Sequence, residues 1–445
     1  MTRHCFRLRG LFSAVILALS AAAAAQTSRP IVASEPAGAG APAVGEAKTK
    51  PYDLWTTKEL TGDWGGVRTA LEDIGIKWEL SYQQQFQSNW LGGADTHNGH
   101  RFSGSYDLVG KIDFGKMKLI PDGGFYIKAK GGYGKGINSK VGASSYATPN
   151  SDAYDDAAIY LDKWYYSQKL WDDKIEFLLG VIETVKDLYD VSLYANHEDK
   201  DFLNRLSFRN ATIPHKTGMG ANVKVTPVKW FYVQAGTFDA QGKKEHTQFD
   251  TAFHDEAWYV GLWELGFTLA WSSPKGPMPG RYRVGMWYDP TTRAIYEDLL
   301  DGAKRQRYQS GEVGYYFGLD QMIWKENDNA KDEQGLGFFT RYGHAHGEVH
   351  SVNHYWSAGV SYKGLVPTRN KDVAGFGVSQ AIYSDQYRNA RNALADRETV
   401  YEWFYNIQLT PWCVLTPDLQ VITNPGGNKD SRDAVVGGLR IRVLF

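Results

Sequence analysis

Gly438-Leu439-Arg440-Ile441-Arg442-Val443-Leu444-Phe445 ends the chain, and its alternation decides the fold. In an extended strand, Leu439, Ile441, Val443 and Phe445 share one face, and Arg440 and Arg442 share the other. One face suits hydrocarbon and the other suits water. The same split recurs upstream. Trp78, Leu80, Tyr82 and Phe86 alternate with Glu79, Ser81, Gln83 and Gln85. Tyr401, Trp403, Tyr405, Ile407 and Leu409 alternate with Glu402, Asn406 and Gln408. Phe125, Ile127 and Ala129 alternate with Tyr126, Lys128 and Lys130, and Tyr282, Val284, Met286 and Tyr288 with Arg281, Arg283 and Asp289.

Segments of this kind are predicted at 77–89, 100–115, 123–135, 156–168, 173–182, 217–226, 229–238, 256–270, 280–290, 310–324, 333–345, 352–363, 372–383, 397–410, 412–422 and 434–445. They make sixteen strands, an even number, as a single-chain bacterial barrel requires. Connections alternate in length. Residues 117–122, 170–172, 227–228 and Pro411 are short breaks; 136–155, 183–216, 239–255, 291–309 and 384–396 are long. The connections at 325–332 and 364–371 are longer than the short side of that rule prefers. The expected fold is therefore all-β: a sixteen-stranded antiparallel transmembrane barrel with short periplasmic turns, long extracellular loops and both termini periplasmic.

Composition agrees. The chain has 445 residues, with 15 Trp, 27 Tyr and 20 Phe. Tyr and Trp suit a membrane–water interface. The mean hydropathy of −0.44 fits a watery lumen with long outer loops. The longest apolar run beyond the N-terminus, 177–182, is too short for a spanning helix. A β-propeller would repeat every 40–50 residues, and no repeat is present. A β-sandwich would hide its aromatics.

Residues 1–25 read as a secretory signal: Arg3, Arg7 and Arg9, then an apolar stretch, then Ala21–Ala25. Residues 26–51, rich in Ala, Pro and Gly, read as a flexible linker, leaving 52–445 for the barrel. Without the signal, 46 basic residues face 50 acidic ones, a net −4 that argues against nucleic-acid binding. Cys413 is then the lone cysteine, so no internal disulfide is expected.

Two blocks carry a family resemblance. Leu60-Thr61-Gly62-Asp63-Trp64-Gly65-Gly66-Val67-Arg68-Thr69, followed by Leu71, Gly75-Ile76 and a strand, resembles the opening of the OprB-type carbohydrate-selective porins. Leu415-Thr416-Pro417-Asp418-Leu419-Gln420-Val421-Ile422, then Asn424-Pro425-Gly426-Gly427, Gly438-Leu439-Arg440 and Phe445, resembles that family's closing hairpin. Phe202-Leu203-Asn204 and Pro227-Val228-Lys229-Trp230-Phe231-Tyr232-Val233 add to it, and the whole covers about 52–445. The resemblance implies a porin of the cell outer membrane that passes small sugars by passive diffusion. It implies no enzyme activity and no cofactor. The partners it implies are carbohydrates, outer-membrane lipid and, during insertion, the barrel-assembly machinery; the barrel is expected to be a monomer. A non-selective porin and a barrel enzyme are the alternatives. Independently of the resemblance, Val67, Ala70, Leu71 and Ile74 predict a short helix before the first strand, placed at the periplasmic mouth.

Inward parity selects Lys128, Lys130, Arg281, Arg283, Arg440, Arg442, Glu79 and Glu402 as pore-lining candidates for sugar contact. Arginine forks and carboxylates both match vicinal hydroxyls. The 183–216 connection, carrying Arg205 and Arg209, is long enough to fold inward and narrow the pore. His344 and His346, two apart, are expected on one strand face near His350 and His354. They find no fixed partner beyond Glu348, so the segment reads as a polar loop tip rather than a metal site. Asp152, Asp155 and Asp156 read as a solvated or Ca²⁺-binding acidic cluster. Gly131–Gly136 fails the phosphate-loop spacing, and no GxSxG or HExxH is present. No catalytic or metal residue is assigned.

Overall fold

A computed structural model describes residues 52–153, 158–195, 200–215, 217–243, 248–254, 257–299, 306–329, 332–391 and 395–445. The signal and linker readings, and Asp155 and Asp156, lie outside them. The strands are β1 (Ile76–Gly93), β2 (His100–Asp113), β3 (Gly123–Gly134), β4 (Tyr160–Leu170), β5 (Ile175–Glu183), β6 (Thr217–Val228), β7 (Phe231–Asp239) and β8 (Tyr259–Ser273). They continue as β9 (Gly276–Ala294), β10 (Tyr308–Lys325), β11 (Gly335–His344), β12 (Val352–Lys363), β13 (Val373–Tyr383), β14 (Arg397–Thr410), β15 (Cys413–Thr423) and β16 (Arg432–Leu444). Each pairs antiparallel with its sequence neighbours, and β1 pairs β16, so the sheet closes into a barrel. Closure satisfies the backbone polar groups without water, which hydrocarbon demands.

The alternation maps onto the wall as expected. Outside, Trp78, Leu80, Leu108, Trp263, Leu265, Val284, Phe317, Trp403 and Leu439 remain exposed. Inside, Gln83, Gln85, Lys130, Glu264, Arg283, Arg341, Glu402 and Arg440 are buried. Register explains the continuity of the polar rows, since residues directly opposite share a face. Gln85 stands opposite Arg440, Asp107 opposite Lys130, and Glu402 opposite Gln420.

Two elements differ from expectation. The β8–β9 hairpin runs out to Pro274 and Lys275, although the predicted strands left residues 271–279 between them. Pro277 stands opposite Ser272 and Pro279 opposite Ala270, while pairing of β9 with β10 stops at Gly280. Beyond Gly280 the second side of β9 is an edge, where a missing N–H breaks no ladder. In addition, β4 begins at Tyr160 rather than 156. The predicted helix forms at Val67–Asp73. It buries Arg68 rather than its apolar stripe, and leaves Val67 and Ile74 more than half exposed. Arg68 stacks on Trp64 and pairs Glu59 at 3.6 Å. The preceding segment is stitched to the barrel end, with Leu60 N–H donating to Leu444 O at 2.8 Å.

The apolar core lies inside the barrel, where loops meet the wall. The 184–216 loop inserts Phe202 between Phe404 and Phe339, with edge-on rings 4.8 and 5.8 Å away. A second cluster packs Val185, Tyr189 and Ile213 against Leu178, Phe238, Leu262, Trp287 and Tyr316. Such long connections have backbone polar groups that need partners once buried, and the wall supplies them.

Candidate pore constriction

The 184–216 loop is tied to strands on nearly every side. Glu402 accepts from the N–H groups of Leu203 and Asn204 at 2.6 and 3.1 Å. Asn204 donates to Gln420 at 3.0 Å. Arg440 donates to the carbonyls of Lys200 and Asp201 at 2.9 and 3.1 Å. Arg341 donates to the carbonyls of Ser207 and Phe208, and the Tyr355 hydroxyl to Leu206 O at 2.9 Å. Glu264 accepts from Asp190 N–H at 2.9 Å. Arg283 pairs Asp320 and stands 3.5 Å from Asp190.

A second inward loop, 135–159, meets the first. Asp152 is buried and bonded to Gln83, Ser105 and Lys130. It is an anchor, not the solvated or Ca²⁺-binding acid read from sequence, because its loop folds onto the inner wall. Ser151 N–H donates to Leu203 O, and Arg205 N–H to Thr148 O. The two loops thus form one partition across the lumen.

Two cavities flank the 184–216 loop among the described residues. One, of about 610 Å³, lies between β2–β9 and the 184–216 loop, with Lys224, Arg281, Glu176, Asp187, Tyr126 and Tyr165 among its lining. The other, of about 210 Å³, is lined by Arg205, Arg209, Arg293, His215, His350 and neighbours. The helical turn Thr184–Asp187 separates them: Ile182, Asp187 and Leu188 face the larger, and Val185 the smaller.

A chain of charge crosses this turn. Lys163 Nζ donates to Asp187 Oδ2 at 2.7 Å and to Glu183 Oε2 at 3.2 Å. Arg209 Nη2 donates to Glu183 Oε1 at 2.9 Å, and Nη1 to His215 Nε2 at 2.7 Å. Next to Lys163, Tyr126 and Tyr165 stack with centroids 4.9 Å apart at 11°. Lys128 pairs Asp107 at 2.8 Å. His350, on its loop, is pushed down to about 4 by burial and by Arg293, so it is neutral at pH 7.

The ten sequence candidates therefore divide. Arg281, Arg205 and Arg209 line cavities. Arg283, Arg440 and Glu402 point inward but are covered by the 184–216 loop and brace it. Lys128 and Lys130 are buried in pairs with Asp107 and Asp152. Glu79 bridges Lys77 and Lys111 at 3.0 and 3.1 Å, and Arg442 faces inward opposite Gln83. Sequence reasoning missed Lys163, Glu183, Asp187 and Arg293. Lys163 stands directly opposite Lys128, but a bulge at Asp162 breaks the alternation along β4. The histidines also rearrange. β11 ends at His344, which stands opposite His354 on the outer wall with rings 4.8 Å apart, so His346 does not share its strand. Among the described residues no group of three or more His, Cys, Asp or Glu is placed to hold a metal.

Residues 97–445 match the model of the carbohydrate-selective porin, OprB family. Porin B of Pseudomonas aeruginosa is 24% identical over 95% of this chain and 98% of its own length. The putative porin QuiX of Acinetobacter baylyi is 24% identical over 90% of this chain and 97% of its own. The high-pH structure of Pseudomonas putida OprB superposes with a TM-score of 0.78 at 21% identity, covering 88% of this chain and 100% of that one, which shows a shared fold. The family match spans most of the barrel, and the chain belongs to the carbohydrate-selective porins of the OprB family.

Proposed function

We propose that small sugars pass this outer-membrane barrel by passive diffusion through the gap beside Lys163, Glu183, Asp187 and Arg209. The observation that carries this is the paired charge at the partition between two cavities. Each cation there has an anion within 3.2 Å, so the local field is largely internal. Paired charges repel neither a neutral solute nor its hydration water, yet they offer donors and acceptors that a hydroxyl can borrow in passing. Tyr126 and Tyr165 add ring faces to the larger cavity, suited to the apolar face of a pyranose. Nothing in this requires a cofactor. Binding stays weak, as a conducting pore needs. The start of β1 and the end of β16 lie at the short-turn end, which in this reading faces the periplasm, and the two inward loops enter from outside the cell.

Planar-bilayer recording tests the reading. Glucose and maltose should lower the current through single channels, and Glu183→Gln should weaken that block while leaving the protein heat-modifiable on gels. Current that no sugar alters would refute it.

A further inference from the structure

The two cavities differ in charge. The larger carries Lys111, Lys224 and Arg281 against Glu176, Asp187 and Glu264. The smaller carries Arg205, Arg209 and Arg293, with no carboxylate among its described lining residues. The balancing acids stand behind the arginines. Glu183 takes Arg209, while Asp289 and Glu312 take Arg293, with Arg293 Nη2 2.6 Å from Asp289. Among the described residues, Arg209 Nε is buried with no hydrogen-bond partner. Arg205 is held in place by its backbone bond to Thr148 O. His350 is neutral there and adds no charge. Three guanidinium groups thus face one small space, Arg209 and Arg293 with their counter-ions on the far side.

An arginine fork is the complement of a carboxylate, and Asn210 and the Tyr146 side chain offer polar partners in the same wall. We infer that the smaller cavity is a receiving site for hydroxylated solutes bearing a carboxylate, the sugar acids as a class. This inference rests on the proposed sugar pathway and names the solute class its loop-side cavity favours. A sugar acid would place its carboxylate among the arginines and present its hydroxyls to the ion-paired turn below.

The test is single-channel recording on the full-length barrel with glucose, sodium gluconate and sodium acetate in turn. Gluconate should half-block at a concentration roughly tenfold below that of glucose, and acetate should not match it. Raising the salt should erode the gluconate preference, because screening lengths fall to ~3 Å at 1 M. Arg205→Gln should reduce the gluconate-to-glucose preference roughly threefold to tenfold, and Arg205→Lys should retain most of it. Heat-modifiable mobility and normal open current certify that each variant is folded. Equal half-block by gluconate and glucose would overturn the inference and leave the sugar pathway standing, as would acetate block equal to that of gluconate. Current insensitive to every sugar and sugar acid would overturn both.

Discussion

Asp190 is enclosed in the lumen with its nearest cation, Arg283 Nη2, 3.5 Å away. Neither carboxylate oxygen has a hydrogen-bond partner among the described residues. Burial pushes its carboxyl up to about 6, against the pull of Arg341 and Arg283. An unfolded aspartate titrates near ~4. Between those values the folded chain keeps a proton that the unfolded chain has lost, so this group's contribution falls as pH rises from about 4 to about 6, then levels. Asp190→Asn should match the parent near pH 4 and gain on it through that window, read as the midpoint of heat-modified gel mobility in detergent. A gain that shrinks with rising pH would contradict this. The residue scale also marks where sequence ran out. Parity placed Arg283, Arg440 and Glu402 on the inner face correctly. It held no information on whether water or a loop would cover them, because the covering groups come from residues some 90 to 240 positions away.

At the element scale, the 184–216 loop and the wall are built for each other. Gly337 and Gly343 face inward on β11. A Cβ on Gly337 would collide with the Tyr194 ring, and one on Gly343 with Asn210 and Thr212. The loop approaches the wall only because these side chains are absent. The double variant Gly337→Ala and Gly343→Ala should push the loop away, raise single-channel conductance and weaken sugar block, with the barrel still formed. A second lever is Arg341, whose guanidinium serves the carbonyls of Ser207 and Phe208. Arg341→Ala leaves both carbonyls and the Ser357 hydroxyl to find water, at about 1–3 kcal/mol for each buried group left bare. The expected record is a noisier open channel, and a quiet one of unchanged conductance would count against the anchor. Length alone made this loop legible as a pore-narrowing element. Its anchors were not legible, since glycines in a strand pattern read only as weak points in sequence. The strands themselves were legible because hydrocarbon enforces period two on the outer face at every one of them.

For the whole molecule, closure decides the outcome. β1 and β16 lie at opposite ends of the barrel sequence yet pair from Ser81–Leu444 to Gly93–Arg432. The terminal residue extends the ladder, with Phe445 N–H donating to Leu80 O at 2.8 Å. Facing lipid, each backbone group left unpaired costs several kcal/mol, so an open edge along β1 is not tolerated. Removing Phe445 alone forfeits one such bond and a lipid-facing ring. The barrel should still form in lipid vesicles, with lower thermal resistance. Ending the chain at Gly438 removes the pairing that spans Ser81–Phe86, together with Arg440 and its hold on the Lys200 and Asp201 carbonyls. It therefore opens the wall and releases the constriction in one step. That chain should yield no heat-modifiable band and no channels when refolded into vesicles. Discrete, sugar-blocked channels from it would show that the barrel closes without the last half of β16, and would refute the role of the terminal strand on which the reading of this fold began.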